Sequence, residues 1–262
     1  MSKLSQFISR LRDRSWRRAS PNCPVTSTSD LAGWFRELHG NRVLSGPFLG
    51  LRYGDFSFGS THLPKLLGTY ERELAGLFTA ANLGQYGAFI NFGCAEGYYT
   101  NGIAHALKEH LGRSDFQVIG IDLNEQALEE SRRISRLNGL TVAVAPAFDF
   151  SSGTRGVGKT LIICDVEGAE IDLMRPERFA AMDRTDFIIE VHDVPRTAAI
   201  LDELQQRFSA THERSVILSL PREARDFPRE FLLPVSDAVK MEAMDERRVN
   251  GLRWLNLRSK PK

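Results

Sequence analysis

The sequence predicts an α/β fold: a doubly wound, mainly parallel seven-stranded sheet of Rossmann-like type, preceded by a helical and loop-rich extension. Three observations predict it. From residue 88 onward, apolar runs of strand length alternate with helical periodicities. The first run, 88–92, passes straight into Gly93-Cys94-Ala95-Glu96-Gly97, after which Ile103, Ala104, Leu107 and Leu111 fall on one helical face. The second run, 116–121, stops at Asp122, and a further helical pattern (Ala127, Leu128, Ser131, Ile134) follows. Glycines at a strand-to-helix turn let the backbone approach a ligand, and the helix behind them points free N–H groups at the same place.

The remaining elements follow in order. Residues 1–29 read as a basic extension and linker. Lys3, Arg10, Arg12, Arg14, Arg17 and Arg18 stand against one acid, Asp13, while Leu4, Phe7, Ile8 and Leu11 keep helical spacing. That pattern suits a weak membrane-surface or polyanion contact, a transit peptide, or a solvated helix packed on its own domain. Residues 30–84 form a helical and loop-rich cap. Leu31, Trp34, Phe35 and Leu38 mark one helix with Asp30 as a candidate cap. The stretch 43–60 is a hairpin or irregular loop, and 66–78 is a helix leading into the first strand. Tyr70 and Glu71 in that helix either line the cofactor mouth or pack on the surface. The sheet domain spans 85–262. Its third strand is 141–147, ending at Phe148-Asp149. The fourth is 161–164 and the fifth 187–191. An amphipathic helix covers 195–209. The runs 216–220 and 252–257 complete the sheet around a charged insertion, 222–250, that either covers the substrate or is a surface loop.

Composition sets outer limits. Of 262 residues, 42% are hydrophobic and 26% charged, as in a soluble globular protein. A net charge of +1 gives no global attraction to nucleic acid. No apolar run reaches the roughly 20 residues that span a bilayer, and the start lacks a secretory apolar region, so a cytoplasmic protein is expected. Three cysteines (Cys23, Cys94, Cys164) without a C-x-x-C pair suit reduced thiols rather than a zinc site.

The glycine spacing bears on the cofactor. A dinucleotide turn would read G-x-G-x-x-G, whereas the glycines here stand at 93 and 97 with no third in register. With no pyrophosphate to cradle, S-adenosylmethionine fits better. Asp122 at the second strand tip suits a pair of ribose hydroxyls in either case. The candidate cofactor residues are Asn91, Gly93, Cys94, Ala95, Glu96, Gly97, Tyr98, Asp122, Leu123, Phe148, Asp149 and Asp165.

Three segments resemble a known family. INFGCAEGYYT (90–100), LIICDVEGAEIDLM (161–174) and FIIEVHD (187–193) are similar to the glycine motif, the Asp-Val-Glu-Gly-x-Glu signature and the Glu-x-His strand end of FkbM-type class I S-adenosylmethionine-dependent methyltransferases. Residues 45–77 resemble the upstream region of a bacterial subgroup. Asn91 stands where the family often has Asp. The resemblance implies O-methylation of a hydroxyl on a sugar, glycan or polyketide-like metabolite.

Methyl transfer to a hydroxyl needs alignment and removal of one proton. Asp165, Glu167, Glu190, His192 and Asp193 all fall at the tips of the fourth and fifth strands. His192 is the candidate base, since imidazole titrates near neutrality, with Asp165 or Glu190 to orient it. A second reading has Asp165, Glu190, His192 and Asp193 holding a divalent cation such as Mg²⁺. A third is structural: Glu167 caps the helix beginning at Gly168, and Glu190 pairs with an arginine. Glu170 is assigned to helix N-terminal electrostatics. An acidic strand tip, with no basic stripe interleaved with aromatics, disfavours a nucleic-acid acceptor. Two rivals remain: a non-catalytic S-adenosylmethionine-binding protein and an NAD-dependent oxidoreductase.

Overall fold

A computed structural model describes residues 25–150, 158–179, 182–192, 197–248 and 253–260. The readings placed on residues 1–24, Cys23 among them, and on Asp193 lie outside these. The sheet has seven strands: β1 (Ala88–Phe92), β2 (Gln117–Ile121), β3 (Ala143–Ala145), β4 (Thr160–Cys164), β5 (Thr185–Val191), β6 (His212–Leu218) and β7 (Arg253–Ser259). Their spatial order is β3-β2-β1-β4-β5-β7-β6. β7 runs antiparallel between β5 and β6, and the pairings among the first five strands are parallel.

The central strands β1, β4 and β5 are buried throughout because both sheet faces are covered. Alternation sorts their side chains cleanly. Phe89, Leu161, Ile163 and Ile188 join one core. Ile90, Phe92, Ile162, Cys164, Phe187 and Ile189 join the other. The first core takes in Leu31, Phe35, Phe48, Leu67 and Phe78 from the segment before the sheet, and Phe231, Val239 and Met244 from the insertion. The second takes Ile200, Leu201, Leu204 and Phe208.

The helices are α1 (Thr28–His39), α2 (His62–Leu67), α3 (Ala80–Leu83), α4 (Tyr98–His105), α5 (Glu125–Leu137), α6 (Glu170–Leu173), α7 (Thr197–Arg207) and α8 (Asp237–Ala243). Several boundaries differ from the sequence reading. Ser27, not Asp30, caps α1, accepting from Asp30 N at 3.1 Å, while the Asp30 carboxylate accepts from Thr26 Oγ1. The helix expected over 66–78 is broken. α2 ends at Leu67 because Gly68 turns left-handed, and Glu71 is also left-handed (φ 46°) before a tight helical run, Arg72–Phe78. β3 is only three residues long, since Pro146 lacks the N–H to extend the ladder. β6 begins upstream of the expected apolar run, at His212, whose Nε2 lies 2.7 Å from Thr185 O. As the outer strand it exposes Glu213, Arg214 and Ser215, so no apolar signal marks its start. No helix among the described residues is long and apolar enough to cross a membrane.

Candidate active site

The strand order reverses direction between β1 and β4, and an open α/β sheet takes its ligand at that switch point, outside the carboxyl ends of the strands. A cavity of about 1070 Å³ lies there. A pocket for one drug-sized ligand spans roughly 300–1,000 Å³, so this cavity stands at the top of that range.

The glycine turn forms the cavity floor. Gly93 has φ 75°, and a Cβ built on it would lie 1.6 Å from Asp165 O. Both Gly93 N and Cys94 N donate to Ile121 O, at 2.8 and 3.0 Å. The turn is thereby pressed between the ends of β2 and β4, which only glycine permits. Gly97 (φ 88°) allows α4 to start against Ser131 Oγ, which a Cβ would approach to 2.3 Å. Buried Asn91 donates to Thr100 Oγ1 at 3.1 Å and ties the strand end to α4. Asp122 accepts from Ala95 N and Asn124 N, both at 2.8 Å, and these bonds fix its carboxylate at the cavity edge. Beyond it, Leu123, Ala127, Pro146, Phe148 and Phe150 make an apolar slot. Phe92, Phe148 and Phe150 pack ring to ring within 5.9 Å.

Of the predicted cofactor residues, Asn91, Gly93, Cys94, Ala95, Tyr98, Asp122, Leu123, Phe148 and Asp165 line this cavity; Glu96, Gly97 and Asp149 do not. Glu96 is fully buried and turned away. It accepts from Tyr53 Oη at 2.6 Å, Phe58 N at 3.0 Å and Lys65 Nζ at 2.5 Å. Burial alone would raise its pKa, but Lys65 and these donors hold it below the usual glutamate value. Burial, then the Asp122 charge, pushes the Cys94 thiol up, so it is no nucleophile.

Asp165, Glu190 and His192 meet at the opposite end, with one donor atom from each within 4.8 Å of the others. The orienting group for His192 is Glu170, which the sequence reading assigned to helix electrostatics. Fully buried, it accepts from His192 Nδ1 at 2.6 Å and from Gly168 N at 3.1 Å. Asp165 Oδ1 and Glu167 Oε2 each lie 3.3 Å from Nε2. Glu167 caps no helix: its backbone is left-handed (φ 55°) and its side chain 81% exposed. Burial disfavours the imidazolium, but its hydrogen bonding to Asp165 and Glu170, then their charges, outweigh it and raise the His192 pKa to about 10. His192 is therefore cationic at neutral pH in this resting arrangement.

Glu190 does pair with an arginine. Arg248, from the insertion, donates to it at 2.7 Å. Arg248 also bonds Glu71 and Glu246, and its guanidinium carbon stands 5.3 Å from the Tyr70 ring centroid. Arg222 in turn binds Glu73 and Glu246. Four buried carboxylates thus share two guanidiniums. Burial, with Asp165, Glu167 and Glu170 nearby, pushes Glu190 up against the pull of Arg248. Glu246 rises to about 7, burial and Glu73 outweighing Arg222. The insertion is consequently part of the cavity wall, where Glu246, Arg247 and Arg248 join Tyr70. Glu71 lies beneath that wall, bonded to Arg248 and Tyr99.

No family model matches the chain, and no curated protein matches it. Among solved structures, it is similar to an rRNA methylase from Streptococcus thermophilus (14% identity, 68% of this chain and 89% of that one, TM-score 0.43). It is also similar to a ribosomal protein L11 methylase from Lactobacillus delbrueckii subsp. bulgaricus (14%, 80% and 85%, 0.46). A third is a methyltransferase from Pyrococcus furiosus (13%, 88% and 94%, 0.44). Likenesses this distant decide nothing about chemistry.

Proposed function

We propose that the protein is an S-adenosylmethionine-dependent methyltransferase acting on a hydroxyl of a sugar, glycan or polyketide-like metabolite. One observation carries the reading. A single cavity runs from the ribose-type acid Asp122, over the Gly93 turn, to the Asp165–Glu190–His192 group at the ends of β4 and β5. The residues fit the cofactor. Phe148, Phe150 and Leu123 offer an apolar slot for the base, Asp122 acceptors for the ribose hydroxyls, and the Gly93 turn an approach that a Cβ would block. When bound, S-adenosylmethionine supplies a methyl group already activated on a sulfonium.

The chain's own task is then to orient the acceptor and take its proton. His192 faces that task with Nδ1 fixed by Glu170 and Nε2 beside Asp165. It accepts a proton only from its neutral form, so activity rises with pH through the alkaline range. The carboxylates of Asp165 and Glu167 disfavour a phosphate-bearing acceptor and support a neutral, hydroxyl-rich one. The resemblance of 90–100, 161–174 and 187–193 to the FkbM-type family supports the same class.

Asp165, Glu190 and His192 also have the spacing of a cation site. Mg²⁺ prefers oxygen ligands, and Arg248 already holds Glu190, so the set does not suit that ion and no step is assigned to it.

Thermal unfolding with S-adenosylmethionine, S-adenosylhomocysteine and NADH in parallel tests the proposal. Ligand at about 100 times its Kd adds about 2.7 kcal/mol. A rise of several degrees with the adenosyl ligands alone is expected. A rise with NADH alone would favour an oxidoreductase. Adenosyl binding without turnover on any hydroxyl acceptor would favour a non-catalytic binding protein.

A further inference from the structure

Lys65 has no part in the roles assigned so far. It sits in α2, is 3% exposed, and lines the cavity together with Tyr70 and Tyr98. A buried ammonium needs acceptors for its three donors. Among the described residues it has one hydrogen-bond acceptor, Glu96 Oε1 at 2.5 Å. Otherwise it stands 4.9 Å and 5.7 Å from the ring centroids of Tyr70 and Tyr98. Glu96, by contrast, is fully supplied, taking bonds from Tyr53, Phe58 and Lys65. As a purely structural device such a pair is a poor bargain, since well-packed apolar residues commonly replace a buried ion pair at no loss. Arg248, which also stands over the Tyr70 ring, is bonded to Glu71, Glu190 and Glu246. Arg247, which also lines the cavity, is exposed, so Lys65 is the buried cation with unused donors at this part of the wall among the described residues.

Its position indicates the ligand group. Glu96 and Tyr98, its neighbours, follow directly on the Gly93–Ala95 turn. Asp122 bonds that turn from the other side, through Ala95 N. An adenosyl ligand with its ribose on Asp122 and its base in the Phe148–Phe150 slot has only its amino-acid end left to lie along the turn. We propose that Lys65 binds the carboxylate of the cofactor's amino-acid portion and that Glu96 serves to hold the ammonium in place. This rests on the S-adenosylmethionine reading of the cavity.

Calorimetric titration tests it with two ligands: S-adenosylhomocysteine, and 5′-deoxy-5′-methylthioadenosine, which lacks the amino-acid portion. The wild-type protein should prefer the former. In a Lys65→Met, Glu96→Gln double variant, which leaves no buried charge unpaired, that preference should fall about 10- to 100-fold, the worth of a hydrogen bond to a charged group. Binding of methylthioadenosine should not change. An unchanged preference, or an equal loss for both ligands, overturns the assignment. The wild-type protein supplies a check that needs no variant. Decarboxylated S-adenosylmethionine keeps the sulfonium and the amine, and should bind more weakly than S-adenosylmethionine by a similar factor; equal binding overturns the inference. If the wild-type protein binds no adenosyl ligand, the cofactor reading itself has failed, a result distinct from the others.

Discussion

Replacing Glu170 by Gln should lower the pKa of His192 by about 1–2 units while keeping the shape of the site. The Glu170 carboxylate is fully buried and meets Nδ1 at 2.6 Å. A hydrogen bond to a charged group contributes about 1.5–3 kcal/mol, and one pKa unit corresponds to 1.36 kcal/mol. Asp165 and Glu167 remain 3.3 Å from Nε2, so the pKa should stay above the ordinary histidine value. The sign for stability follows from the raised pKa. Stabilisation by His192 is complete below its unfolded pKa of about 6.5 and is lost as pH rises through about 10. Glu170 is depressed, burial notwithstanding, by the same hydrogen bond, so its share persists at neutral pH and is lost only in acid. The variant should therefore lose about 1.5–3 kcal/mol in urea unfolding at pH 6 and less at pH 9.5. Heteronuclear NMR of the His192 ring measures the pKa directly. In turnover, the alkaline rise of kcat/KM should move to lower pH by the same 1–2 units. A His192 titration unchanged in the variant would refute the claim that Glu170 holds the imidazolium.

Four further outcomes are expected. His192→Ala should abolish methyl transfer but leave S-adenosylhomocysteine affinity, by calorimetry, within about threefold; undiminished turnover would remove it as the base. Gly93→Ala forces a left-handed alanine against Asp165 O, so adenosyl binding should be lost and urea unfolding should show a stability loss of at least the roughly 1–3 kcal/mol such strain costs. Arg248→Met strands Glu71, Glu190 and Glu246 without their shared cation, and urea unfolding should show a loss of about 3–5 kcal/mol. EDTA should leave turnover unchanged; inhibition reversed by added metal would restore the cation reading of Asp165, Glu190 and His192.

The fold was largely legible because its signals are local. The runs 88–92 and 161–164 are apolar on both faces, as buried parallel strands must be, and Gly93 and Asp122 stand where a strand ends and a helix begins. Where the local signal is weak, the boundaries moved. The outer strand β6 begins with His212-Glu213-Arg214-Ser215, which has no apolar pattern to read. The helix expected over 66–78 breaks at Gly68, a left-handed glycine, and again at Glu71, where the cause is tertiary: Glu71 is drawn to Arg248, 177 positions away, and to Tyr99.

The same distinction separates the parts of the site. Residues whose place at a strand tip puts them on the cavity wall, such as Asp122, Asp165 and His192, can be located by counting along the chain. Partners supplied across the fold were not. Glu170 reaches His192 from 22 positions away, and Arg248 reaches Glu190 from 58. Nothing in the charged stretch 222–250 marks Arg222 and Arg248 as buried and its other arginines as solvated. Four carboxylates and two guanidiniums share one buried region, so each member's charge depends on the others. The proton inventory of the acceptor end belongs to that arrangement. His192 alone would titrate near 6.5, as its sequence position suggests, and the carboxylates that surround it in space move that to about 10. The place of His192 at a strand tip is thus legible from sequence, while the pH at which it titrates is a property of the fold.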